Sequence, residues 1–165
     1  MRSIGIRVEP GKVHWAVVET QAGEPVVVAS DKTAAPRTYS DPQAFACYRD
    51  RIIGIIDAHG PTVGAVKAPE PVSRGGNSAG AHKRLRIEGV VVEALRSKGI
   101  EATIGAFNTL ASHLGSKSAK RYVGTDELRG LDWSDKPKEL REAILAAVAE
   151  LDKHDGSQSR GQVPT

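Results

Sequence analysis

Apolar side chains alternate at the start of the chain. Ile4, Ile6 and Val8 share one side of residues 3–9, the period of a β-strand. Pro10-Gly11-Lys12 has turn chemistry, and Val13 to Thr20 and Pro25 to Ser30 are two further β-branched runs separated by a turn at Gly23. Three short strands joined by tight turns predict an antiparallel meander. The period then changes. Asp41-Pro42 reads as an N-cap followed by proline in the first turn, Phe45, Tyr48, Ile52, Ile55 and Ile56 recur at helical spacing, and Gly60-Pro61 ends the helix. Residues 62–67 predict a fourth strand, and 68–80, with Pro69, Pro71 and Gly75-Gly76, a mobile loop. A second helix is expected over 81–98, with Leu85, Val91, Val92 and Leu95 facing inward and Gly99 as its stop. Residues 100–104 predict a fifth strand.

Asn108 to Val123 reads as a short helix with a basic end, and Gly124 to Asp135 as a polar connection. The last helix is expected to start near Lys136-Pro137 with Asp135 as its cap, carrying Leu140, Ile144, Ala147, Val148 and Leu151 as one apolar stripe. The composition of residues 155–165 predicts a disordered tail, which leaves one domain over residues 1–154. The order βββ-α-β-α-β-α-α predicts an α/β fold, a mixed five-stranded sheet flanked by helices.

With 165 residues, 39% hydrophobic and 26% charged, the chain is neither fibrous nor wholly disordered. No run approaches the ~18 apolar residues of a membrane span, and the charged first residues do not resemble a signal peptide. The single cysteine, Cys47, permits no internal disulfide and no CxxC zinc site. A cytoplasmic domain without a membrane partner is the expectation. The net charge of +3 says little, but Arg74, His82, Lys83, Arg84 and Arg86 fall within thirteen residues, and Lys117, Lys120 and Arg121 form a second group. Such clusters attract phosphate whatever distant charges do. Other chemistries lack their patterns: the five histidines are scattered, no serine has a GxSxG setting, and Gly75-Gly76 is not followed by GKS/T. Those glycines, beside Arg74 and ahead of a helix start, nevertheless suit backbone contacts to a phosphate.

Several segments resemble the RuvC-type branch of the RNase H-like superfamily. Glu9-Pro10-Gly11 followed by Trp15-Ala16-Val17-Val18 looks like the Asp-Pro-Gly hairpin that opens resolvases of that branch. Val63-Gly-Ala-Val-Lys67, a Gly/Asn/Ser loop and Leu85-Arg-Ile-Glu-Gly-Val-Val91 look like its fourth strand and following helix, and Arg141-Glu-Ala-Ile-Leu-Ala-Ala147 is similar to its closing helix. The resemblance covers residues 3–152. It implies an RNase H-like sheet and hydrolysis of phosphodiesters by two Mg²⁺ or Mn²⁺ ions, held by carboxylates on the first strand, the fourth strand and the last helix. It also implies a homodimer, since resolvase relatives pair to grip two strands.

On that pattern Glu9, Glu70 and Glu139 are the candidate catalytic residues and, with Glu142, the candidate metal ligands. The match has departures. Glu9 is Glu where the family has Asp, and counting from Gly5-Ile6 instead places Arg7 at the first acid. Val66-Lys67 stands where the second acid is expected, leaving Glu70, between Pro69 and Pro71, as its substitute. On a helical wheel Glu142 points away from the apolar stripe, onto the surface, with Glu139 at its flank; Asp132 and Asp135 are rivals. Lys67 is itself suited to bind phosphate and joins Arg74, His82, Lys83, Arg84, Arg86, Lys117, Lys120 and Arg121 as the expected nucleic-acid contacts, with DNA favoured over RNA. Two functions stay open. One is a divergent nuclease-like protein acting on nucleic acid, with Mg²⁺ if active. The other is an inactive module on the same fold that binds nucleic acid or a protein partner, the latter if the basic cluster is paired with Glu88 and Glu93.

Overall fold

The computed structural model describes residues 1–71, 78–115 and 118–159. Strands β1 (Arg2–Glu9), β2 (Lys12–Gln21) and β3 (Glu24–Thr33) form the predicted meander; α1 (Asp41–His59) leads to β4 (Val63–Lys67), α2 (Ala79–Ser97) and β5 (Ala102–Gly105). The sheet order is β3-β2-β1-β4-β5. The first three strands pair antiparallel, while β4 lies parallel to β1 and to β5. This is the mixed five-stranded α/β sheet that the pattern predicts.

Period-two alternation splits β1 between two cores. Ile4, Ile6 and Val8 pack with Val13, Val17, Tyr48, Ile52, Ile87 and Val91 under α1 and α2. The alternate positions, Ser3, Gly5, Arg7 and Glu9, face the last helix, α5 (Lys138–Ser159). Gly5 allows that approach: a Cβ there would lie 1.9 Å from the Ala143 carbonyl oxygen and 2.6 Å from the Ala147 nitrogen.

Several boundaries shift, β5 among them, which begins at Ala102 instead of residue 100. Ser40, not Asp41, caps α1, its N–H donating to Gln43 Oε1 at 2.9 Å. The helix expected over 108–123 is two, α3 (Phe107–His113) and α4 (Lys120–Val123). The polar connection contains a small hairpin, β6 (Glu127–Leu128) and β7 (Leu131–Asp132), turning through Arg129 and Gly130 at positive φ, and a fully buried Trp133 whose Nε1 donates to the Thr125 carbonyl at 2.8 Å. Helix α5 starts at Lys138, directly after Pro137, so Asp135 is not its cap, and continues through Ser159; residues 155–159 are helical rather than tail, and 160–165 lie outside the described residues.

Helix α5 is not amphipathic in the way the single stripe suggests. Every residue from Glu142 to Leu151 is buried, because the sheet covers one side and Leu110, Ala119, Leu128 and Trp133 cover another. Leu85, expected inward, is 52% exposed at the start of α2. Among the described residues no helix is long and apolar enough to cross a membrane.

Candidate nucleic-acid interface

Register brings three basic side chains into one row. Arg7 on β1 pairs with His14 on β2 and with Lys67 on β4, so all three stand on the α5 side near the C-terminal ends of β1 and β4. Each has its own acid. His14 Nε2 lies 2.6 Å from Glu9 Oε2, Arg7 Nε donates to Glu142 Oε2 at 2.5 Å, and Lys67 Nζ donates to Glu70 Oε1 at 2.8 Å.

Burial explains why the pairs are needed. Lys67 is 1% exposed, and an ammonium taken so far from water is tolerated only with an anion and further hydrogen bonds. Its Nζ also donates to the Ala68 carbonyl and lies 4.1 Å from the centre of the Phe107 ring, a cation–π contact. Glu70 Oε1 accepts a second bond, from the Phe107 backbone N–H at 2.9 Å. Partial burial alone would raise the Glu70 pKa, but the Lys67 ammonium, the Phe107 N–H and the nearby Lys120 charge together hold it below the ordinary carboxylate range.

These placements correct the expected acid set. Glu142, assigned to the surface by the helical wheel, is 4% exposed and bonded to Arg7. Glu9 is bound to the His14 imidazole and Glu70 to the Lys67 ammonium. Glu139 is half-buried at the start of α5 and does not line the cleft described below. Asp132 accepts from the Ser134 N–H at 2.9 Å, closing its own turn. Among the described residues no group of three or more His, Cys, Asp or Glu is placed to hold a metal ion. The donor set at the strand ends does not fit a pair of divalent cations: Lys67 and, on the count from Gly5-Ile6, Arg7 stand where the sequence resemblance implies oxygen ligands.

Above the row opens a cleft of about 780 Å³, lined by Arg7, Lys67, Glu70 and Glu142 and walled by Arg84, Leu85, Lys120 and Lys138. Arg84 Nε is buried with no hydrogen-bond partner among the described residues. Behind it on α2, Glu88 is 9% exposed and its Oε2 is likewise unpartnered. Burial raises the Glu88 pKa, against the pull of Arg84, Arg7 and Lys67.

The expected contacts divide. Lys67, Arg84 and Lys120 line the cleft, and Lys138, which sequence reading passed over, joins them. Lys83 lies 3.6 Å from Asp41. Arg86 projects to a different groove, between α1 and α2 beside Phe45 and Val90. His82 and Arg121 are exposed and outside the cleft lining, and Arg74 and Lys117 lie outside the described residues. Glu93 pairs with Arg49 at 2.7 Å, not with the basic cluster.

No family model and no curated protein sequence matches the chain. Solved structures do. Thermus thermophilus RuvC in complex with a Holliday junction substrate superposes with a TM-score of 0.76 at 15% identity, over 94% of this chain and 96% of that one. The fold is that of RuvC. A second T. thermophilus RuvC structure gives 0.73 at 16% identity, over 95% of this chain and 97% of that one. The yeast mitochondrial Holliday junction resolvase gives 0.64 at 10%, over 95% and 80%. The RuvC-type, RNase H-like architecture implied by the short sequence resemblances is therefore present along nearly the whole chain.

Proposed function

We propose that this chain binds nucleic acid on a RuvC-type scaffold without using divalent metals and without cutting it. The observation that carries this reading is the His14–Arg7–Lys67 row, in which each base is already matched to a carboxylate. Two-metal hydrolysis needs clustered oxygens to hold the ions and activate water. An ammonium and a guanidinium hold phosphate oxygens but activate no water. Arg84, Lys120 and Lys138 add positive charge to the cleft above the row, and a concave positive surface draws in a phosphodiester backbone. DNA is the favoured strand type, supported by the Holliday junction bound to the RuvC that shares this fold.

The competing reading is an Mg²⁺-dependent nuclease on Glu9, Glu70 and Glu139. It requires Glu9 and Glu70 to leave His14 and Lys67, and Glu139 to reach a cleft it does not line. Calorimetric titration with Mg²⁺ and Mn²⁺, and incubation with branched, single-stranded and hybrid substrates, separate the two. Expected are no metal-binding heat, no cleavage, and DNA affinity that falls with salt at a log–log slope of roughly −3, one phosphate for each of Arg84, Lys120 and Lys138. Metal-dependent cleavage lost in Glu9→Ala would overturn the reading, and salt-independent affinity would remove the binding claim.

A further inference from the structure

The proposed reading needs a phosphate to reach the floor of the cleft, and in the free protein an oxygen already sits there. We infer that the Glu70 carboxylate is an internal placeholder for a phosphate oxygen of the bound strand, held by Lys67 and the Phe107 N–H and displaced when nucleic acid enters. The inference rests on the binding function proposed above and specifies how its central contact is made.

The donor set is the first argument. A single oxygen, Glu70 Oε1, accepts from the Lys67 ammonium at 2.8 Å and from the Phe107 backbone N–H at 2.9 Å. One cationic and one backbone donor converging on one anionic oxygen is also how proteins hold a phosphate oxygen. Exposure is the second. The Lys67 side chain is 2% exposed and the Glu70 side chain 40%, so the base is fixed in the floor while the acid has water to move into. Exchange of carboxylate for phosphodiester replaces one negative charge with another, and Lys67 is never left buried without a counter-charge. The third is what surrounds the seat. Lys120 acts on Glu70 electrostatically, and Arg84, with its unpartnered Nε, lines the same cleft; both favour a group with several anionic oxygens over a single carboxylate. Glu142 differs from Glu70 in this respect. At 6% side-chain exposure, against 18% for Arg7, it has no comparable route to solvent.

Backbone amide spectra of the full chain, titrated with inorganic phosphate and with a single-stranded oligonucleotide of about ten nucleotides, one or two phosphates per cleft-lining cation, test this. The Phe107 amide is expected to shift in the wild type. Glu70→Gln keeps an oxygen for the Phe107 N–H but loses the competing charge, and should bind phosphate about tenfold tighter. Lys67→Met should lose the Phe107 response. Unchanged or weaker phosphate binding by Glu70→Gln, or a silent Phe107 amide while Lys120 and Arg84 respond, overturns the placeholder. Should a variant not fold, the wild-type Phe107 titration decides alone. Failure of the wild type to bind the oligonucleotide at all sinks the binding function itself. Oligonucleotide binding with the expected salt slope but no gain in Glu70→Gln sinks only the placeholder.

Discussion

Helix α5 buries a glutamate toward each end of the sheet, and the two ends are unlike. Glu142 is 4% exposed and meets Arg7, which comes from β1 at a separation of 135 residues. Glu150 is 1% exposed, and its Oε1 is shared by Lys153 Nζ at 3.2 Å and His154 Nε2 at 3.1 Å, one turn further along the same helix. At the Glu150 end the pairing is local, the Lys153 and His154 side chains are about two-fifths exposed, and Lys153 is also fixed to Thr103 Oγ1 at 2.8 Å. At the Glu142 end β1, β4, α2, α4 and α5 each contribute a cation to one cleft, against Glu70 and Glu142. A buried carboxylate therefore marks nothing by itself. Positive charge in excess, assembled from distant segments around a concavity, is what separates a candidate binding end from a structural one.

Gly5, which sits between these ends on β1, offers the largest disruption. A Cβ there meets backbone atoms of Ala143 and Ala147, which cannot turn aside as a side chain would. Gly5→Ala should cost more than about 3 kcal/mol or prevent folding, by forcing α5 off the sheet. A urea midpoint close to wild type would mean that α5 is not held in the contact from which both ends are built.

The next largest effect should differ between the ends. Glu142→Ala strands the mostly buried Arg7 guanidinium and should cost about 2 kcal/mol, below the range for a fully buried pair because Arg7 keeps 18% side-chain exposure. Glu150→Ala should cost under about 1 kcal/mol, since Lys153 and His154 can turn to water. Chemical denaturation of the two variants measures the difference directly. Equal losses would erase the distinction between the ends.

Much of this architecture was legible in the chain, and the exceptions have physical causes. The meander and the β4–α2–β5 passage rest on local turns and alternation, which a sequence displays openly. The wheel misplaced Glu142 because it assumes one buried face, and α5 is covered on more than one side. Ala143, Ala146, Ala147 and Ala149 were the sign of that, small residues that let neighbours approach from several directions. Trp133 and Leu128 betrayed a packed segment inside the supposed polar connection. For the site, Arg7 and Lys67 were visible as charges inside strands otherwise apolar, and each implied a hidden partner. Which acid served which base was not readable, because Arg7–Glu142 depends on the β1–α5 packing, not on spacing. Lys138 was passed over for the same reason: it reaches the cleft only because α5 begins beside the ends of β1 and β4.

A smaller effect concerns binding. Removing one phosphate-contacting cation should reduce the salt slope by about 1 and weaken different sequences alike. Arg84→Ala is expected to do so, whereas Lys153→Ala at the opposite end should leave both slope and affinity unchanged. Fluorescence anisotropy of a labelled duplex across a salt series reads the slopes. A loss in Lys153→Ala matching that in Arg84→Ala would show that binding follows overall charge instead of the cleft.

The smallest effect is a pH dependence belonging to the crowded end. Glu88 is 9% exposed, and burial raises its pKa above the ordinary 4.5 in spite of Arg84, Arg7 and Lys67. The folded chain thus keeps this proton to a higher pH than the unfolded chain does. Through the interval between the two values the folded state binds more protons, and stability falls as pH rises. Glu70 works the other way: its lowered pKa contributes stability above the unfolded value that is lost as pH falls through the folded one. In Glu88→Gln the decline above the ordinary carboxylate range should flatten, while the acid-side loss from Glu70 persists. Melting temperatures of wild type and variant from about pH 4 to 8 compare the two limbs. Parallel curves throughout would mean that Arg84, Arg7 and Lys67 already offset the burial of Glu88.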